Sequence, residues 1–134
     1  MGNFGKKGRY DVYKGGSYSQ AVKWVSENED IIFVAGQAAM NDKGEVVGVG
    51  DIKVQTAQAI ENIKAVLDEA GAKLEDVVQL TYYVTDMKNL PQIKEVREQY
   101  WKDRYPTSTL VEINKLFKED FLIEIEAVAI VGHF

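Results

Sequence analysis

Two glutamates, Glu124 and Glu126, stand two residues apart in the apolar run Leu122–Ala129 (LIEIEAVA). The two-residue period of a strand puts both on one face. A carboxylate on a partly buried face can orient a water or accept a proton once desolvation raises its pKa; in open water it is an ordinary solvated or ion-paired residue. Tyr18 follows Gly15-Gly16-Ser17 and brings a hydroxyl to a strand entry, where packing is its alternative role. Ser108, in Arg104–Glu112 (RYPTSTLVE), is expected on the polar face of a late strand, because hydroxyl and apolar residues alternate after Pro106.

Other chemistries are poorly provided for. The chain has no cysteine, which removes disulfides, thiolate metal sites and a cysteine nucleophile together. Its single histidine, His133, is penultimate and is expected to be a frayed end rather than a triad member or metal ligand. The glycine-rich Gly44–Gly50 (GEVVGVG) lacks the Lys-Ser/Thr ending of a phosphate loop, and the acidic residues lack EF-hand spacing, so no metal site is expected. Net charge is -5. The basic cluster Lys6-Lys7-Gly8-Arg9 is too short for a phosphate-backbone stripe, so no nucleic-acid partner is expected. No apolar run nears the ~18 residues of a membrane span, and no signal segment opens the chain. These features read as a soluble, cytoplasmic protein without a membrane partner.

The elements that must position the candidates follow from periodicity. The 134 residues suit one domain, 1–134, with 1–17 a flexible or edge N-terminal segment. Strands are expected at Tyr18–Val25, Ile31–Gly36, Val77–Thr85, about Thr107–Ile113 and Leu122–Val131, with a short one at Val46–Val49. Asn41-Asp42-Lys43-Gly44 is a turn. One helix spans Asp51–Ala70, with an apolar stripe of Val54, Ala57, Ile60, Ile63, Leu67 and Ala70, Asp51 as cap and Gly71 as its end. A second runs from about Leu90 to Lys102, with Asn89 as candidate cap and Pro91 in the first turn. Two helices cover only one face of such a sheet, giving an α+β domain.

The last strand shows how the faces differ. Ile123, Ile125, Ala127, Ala129 and Val131 should pack under the helices; Leu122, Glu124, Glu126, Val128 and Ile130 point away. Val78, Leu80, Tyr82 and Val84 form the apolar side of their strand. The second sheet face is too apolar for water and too polar for a dry core, which predicts a subunit interface holding wet, polar pockets, with Ser108 drawn into it.

Several ordered segments resemble one family. They are Gly16–Ala21 (GSYSQA), Val34–Gln37 (VAGQ), Gly44–Val47 (GEVV), Gln55-Thr56 with Glu61–Leu67 (ENIKAVL), Ala70-Gly71, Glu75–Val78 (EDVV), Val84–Met87 (VTDM), Tyr105-Pro106-Thr107 and Leu122–Ala129. Together they are similar to RidA/YjgF, the reactive-intermediate (imine/enamine) deaminase family, also called the endoribonuclease L-PSP family. The resemblance spans Tyr18 to Val131 and is specific as an ordered set. It implies a chorismate-mutase-like α+β fold assembled as a homotrimer with clefts between subunits. Active relatives hydrolyse 2-imino or 2-enamino acids to 2-keto acids and ammonia without a cofactor. The family tyrosine corresponds to Tyr18, the water-positioning glutamate to Glu124 and the cleft glycine to Gly36. The family's carboxylate-holding arginine corresponds to Ser108. Arginine grips a carboxylate through a charged, bidentate fork. Serine offers one neutral hydrogen bond, worth roughly 1 kcal/mol net against ~2–5 for a buried charged pair. Lys94, at a helix position often asparagine in relatives, could bring a compensating charge or be simply solvated; Arg104 lies before the strand.

Three functions compete on this reading: a divergent hydrolytic deaminase with altered carboxylate anchoring, a non-catalytic trimer that binds a small 2-imino- or 2-keto-acid-like metabolite, and an RNA-active protein. The acidic charge balance counts against the third.

Overall fold

Eight elements follow one another in a computed structural model that describes residues 5–133. They are β1 (Gly8–Gly15), β2 (Tyr18–Val25), β3 (Glu29–Ala38), α1 (Ile52–Glu69), β4 (Val77–Val84), α2 (Leu90–Tyr100), β5 (Thr107–Glu112) and β6 (Ile123–Gly132). The strands form one mixed sheet in the order β1-β2-β3-β6-β4-β5. All pairings are antiparallel except β4 with β5, which are parallel and joined through α2. Both helices pack on one face, as an α+β fold.

The alternation in β6 sorts the faces as expected. Ile123, Ile125, Ala127 and Ala129 are buried against the helices, while Glu124, Glu126 and Val128 are half-buried and Ile130 is exposed on the other side. In β4 the register shifts between Val77 and Gln79, so Val77 turns inward with Leu80, Tyr82 and Val84. Val78, expected inside, is exposed because that irregularity flips it. The stripe of α1 is also rotated. Ile60, Ile63 and Leu67 are buried, but Ile52, Gln55, Thr56, Ala59 and Val66 join them, and Val54 is exposed.

Gln55 earns its buried place by hydrogen bonding. Its amide donates to the carbonyls of Gly48 and Asp120 and accepts from the Leu122 N–H, clamping the chain as it enters β6. Asp51 caps α1 by accepting from the Val54 N–H at 3.1 Å, and Gly71 follows with φ 80°. Asn89 stands at the N-cap of α2 as expected, but its side chain makes no capping hydrogen bond. Asn89 also belongs to a 3-10 turn, Met87–Asn89, and Asp86 caps that turn by accepting from the Lys88 N–H.

The third N-terminal strand is not Val46–Val49. Val46 makes only an isolated bridge to Met40, and Gly48 and Gly50 take φ of 76° and 75°, which no extended run sustains. The strand is instead β1, at the sheet edge beside β2. Nor is His133 frayed. Its backbone N–H donates to Asn28, and its Nε2 lies 3.0 Å from the carboxylate of Asp30, which is buried beside Lys23. The hydrogen bond to Asp30 raises the pKa of the imidazole.

The face without helices carries an apolar patch. The register aligns Trp24 with Ile31 and Ile130, and Val22 with Phe33 and Val128, across β2, β3 and β6. Trp24 is 51% and Phe33 52% exposed. Neighbouring rungs are polar: Glu126 opposes Thr81, and Glu124 opposes Tyr83.

Candidate active site

The ladder between β3 and β6 breaks between Val34 and Gln37. Ala35 and Gly36 lie in that irregularity, and the strand bends where the Glu124 side chain crosses it. A Cβ at Gly36 would lie 2.8 Å from the Glu124 carboxyl carbon and Oε1. Only glycine lets the carboxylate rest on the backbone there. Tyr18, Gly36 and Glu124 line one pocket of about 420 Å³, walled by the helix-free face of the sheet and, beyond β3, by Asn62 of α1. Three of the expected site residues therefore come together.

The remaining walls are amides and one aromatic ring. Gln37 donates from Nε2 to Gln20 Oε1 at 2.7 Å and to the Ala35 carbonyl. Asn62, on α1, donates to the carbonyls of Ala38 and Met40 and fixes the chain leaving β3. Phe117, 70% exposed, closes one side. None of these four was singled out from the sequence. Gln20 had a signal, since it shares the strand face of Tyr18 at a spacing of two.

Glu124 and Glu126 differ although they share a face. The Tyr83 hydroxyl donates to Glu126 Oε1 at 2.8 Å. Among the described residues, no hydrogen-bond donor reaches the Glu124 carboxylate. Burial, and then the charge of Glu126, raise the pKa of Glu124 above the ordinary carboxylate value. A half-buried carboxylate of raised pKa, facing a cavity and reached by no donor among the described residues, is suited to take a proton from water.

Ser108 lies elsewhere. In the parallel ladder it opposes Leu80, a core residue, so its side chain is on the helix face rather than the open one. The polar look of β5 misled here: an edge strand can carry a hydroxyl on the helix side, where α2 reaches it only with a long polar side chain. Ser108 lines a second pocket of about 230 Å³ with Tyr82, Arg97, Trp101, Tyr105 and Pro106. Arg97 Nη1 donates to Ser108 Oγ at 3.2 Å. Lys94 is exposed on α2 and lines neither pocket. Arg104 lies in a separate depression beside Glu75 and Asp103. The cation beside Ser108 is thus Arg97, which sequence reasoning passed over. Its signal was its spacing: it sits four residues from both Ile93 and Trp101, within the apolar stripe of α2.

The family model for endoribonuclease L-PSP matches residues 11–131. A RutC family protein of Pyrococcus abyssi is 47% identical over 115 residues, 85% of this chain and 86% of that protein. The 3-aminoacrylate deaminase RutC of Acinetobacter baylyi is 35% identical, over 75% of this chain and 79% of its own. The crystal structure of E. coli TdcF with bound serine superposes with a TM-score of 0.77 at 29% identity, covering 95% of this chain and 100% of that one.

Proposed function

Since the chain belongs to the RidA/YjgF/endoribonuclease L-PSP family, we propose that it is a hydrolytic deaminase of small 2-imino or 2-enamino acids. The observation that carries this reading is the unpartnered Glu124 carboxylate lying against Gly36, in one pocket with Tyr18. Water adds to the carbon of the protonated imine while Glu124 accepts its proton, giving a neutral carbinolamine. Glu124 then gives that proton to the carbinolamine nitrogen; as the C–N bond breaks, the carbinolamine hydroxyl passes its proton back to the Glu124 carboxylate and becomes the carbonyl of a 2-keto acid, and ammonia leaves. An enamine first takes a proton at carbon to become the imine. Tyr18 lines the cleft and orients the substrate. The protons come from water and Glu124 shuttles them, so no cofactor is called on. A relative named for 3-aminoacrylate deamination and another structure holding serine support a small amino-acid-derived substrate.

The assembly belongs to the same proposal. The Glu124 pocket and the Ser108 pocket share no residue and open on opposite faces of one sheet. One substrate can use both only across a boundary between two copies. A contact that sets the open face of one copy against the β5 edge of the next is heterologous, and such contacts close into rings. The exposed Trp24, Phe33 and Ile130 supply apolar surface for it. We propose a homotrimer in the chorismate-mutase-like arrangement, working in the cytoplasm. Among the described residues no helix is long and apolar enough to cross a membrane.

The test couples the purified protein to a pyridoxal-phosphate dehydratase that releases 2-iminobutanoate, and follows loss of the imine against its spontaneous hydrolysis. Acceleration that disappears in Glu124→Gln is expected. No acceleration over the spontaneous rate, with the acid still bound, would replace this reading by a non-catalytic small-ligand module. Light scattering should return three times the 15.1 kDa chain mass; a monomer at micromolar concentration would remove the shared cleft.

A further inference from the structure

The pocket at Ser108 holds a guanidinium that no carboxylate among the described residues pairs with. Arg97 is half-buried, stacked 5.5 Å over the Tyr82 ring, and donates to Ser108 Oγ. Among the described residues, no carboxylate lies within ion-pair distance of it. The acidic residue on the pocket wall, Glu98, is exposed to solvent. A guanidinium carries five N–H donors in a fixed fork, and Ser108 occupies one direction of it. Beside it, the buried Tyr82 hydroxyl has no hydrogen-bond partner of ordinary geometry among the described residues, and the Arg97 guanidinium is the charge that acts on it. Natural interiors satisfy such groups, with protein or with a ligand. Apolar walls from Leu80, Trp101 and Pro106 leave room for a short carbon chain and exclude competing water.

We propose that Arg97 is the carboxylate anchor of this chain: the pocket takes a small 2-oxo or 2-imino monocarboxylate, held by the Arg97 guanidinium, with Ser108 orienting the fork. Ser108 accepts from Arg97 and keeps its own O–H to donate to the acid. The positive charge that strand β5 does not carry is supplied by the helix packed beside it. The bond to Ser108 and the Tyr82 ring 5.5 Å away hold the guanidinium in place, and a lysine at 97 would keep charge but lose the two-pronged grip. The identity of the acid rests on the deaminase reading above; the anchor itself rests on the pocket.

The test separates the two. 2-Oxobutanoate and its uncharged amide are titrated by calorimetry into wild type, Arg97→Ala, Arg97→Lys, Glu124→Gln and the double variant Arg97→Ala/Ser108→Arg, with thermal melts as the check on folding and imine turnover measured in parallel. Wild type should bind the acid about 10-fold or more tightly than the amide. Arg97→Lys should weaken acid binding by about 10-fold and Arg97→Ala by more, with KM rising and kcat little changed. The double variant should recover part of the loss, and Glu124→Gln should bind the acid normally. Acid binding unchanged in a folded Arg97→Ala or Arg97→Lys, equal binding of acid and amide, or no binding by wild type would each overturn the anchor. Turnover that ignores Arg97 sinks the anchor and leaves the deaminase reading standing. Arg97-dependent binding without any turnover does the reverse.

Discussion

The two pockets are made of opposite materials. The one at Glu124 is walled by amides and backbone between the rings of Tyr18 and Phe117, lies where a strand is irregular, and holds a carboxylate that no donor among the described residues reaches. The one at Ser108 is walled by aromatic rings between an edge strand and a helix, and holds a positive charge with no carboxylate. Each by itself is electrostatically incomplete, which is costly in a folded protein unless something else arrives. A 2-imino acid presents a carboxylate for one and an electrophilic carbon, with its leaving nitrogen, for the other. On the proposed function, the difference teaches that reaction and recognition would sit on separate elements of this fold, so that each could change while the other stays.

The sharpest way to break that division is Glu124→Gln. Turnover should fall by about 10²–10⁴-fold, the usual weight of general acid–base catalysis, with acid binding kept. Stability gives an independent check. Burial raises the folded pKa of Glu124, so its contribution is full at low pH and is lost as pH rises through the folded pKa. The variant should therefore melt no lower than wild type at pH 7, and compare less favourably at pH 4. A strong fall in stability at pH 7 would mark Glu124 as structural.

Next in size is separation of the copies. Phe33→Glu puts a charge in the centre of the exposed patch on β2, β3 and β6. Light scattering should show the assembly reduced to monomers, and turnover should fall by about 10²-fold as the pockets lose their alignment. Full turnover in the monomer would mean that one copy unites them. Gly36→Ala should cost less, about 10- to 100-fold in kcat, because its methyl would displace the carboxyl group now 2.8 Å away. A crystal structure of that variant should find Glu124 rotated out of the pocket.

Much of the layout was legible in the chain. The alternation through Leu122–Ala129 separated the faces of β6, and the spacing of apolar residues found both helices, because burial on one side leaves a period that can be counted. What could not be counted was irregular. The register shift at Val77 turned Val78 outward, and glycines of positive φ ended the stretch at Val46. Tertiary bonding misled as well: Gln55 looks like a surface residue until its partners from two loops are seen, and His133 like a loose end until Asp30 is. Within the site, Tyr18, Gly36 and Glu124 were picked out by residue type and resemblance, and the structure sets them in one cavity. Ser108 was assigned to the wrong face, since a polar edge strand hides which side its neighbours cover. Arg97 could have been suspected only by asking why a cation interrupts an apolar stripe.

The finest comparison lies within the reactive pocket, between two glutamates one rung apart. The raised pKa of Glu124 has two causes in order, burial and then the charge of Glu126. Glu126 is itself held by the Tyr83 hydroxyl, which keeps its carboxylate beside its neighbour. Glu126→Gln removes the second cause and leaves the first. The proton affinity of Glu124 should then drop, though not to the ordinary carboxylate value, because desolvation remains. If Glu124 acts as the base, the acid limb of the kcat/KM profile reports its ionisation in the free protein. That limb should move to lower pH. The plateau rate should fall slightly, because a weaker base draws less strongly on the attacking water. A limb that does not move would separate the two carboxylates. A limb that vanishes would make Glu126 the base, and the pocket would have to be read from the Tyr83 side.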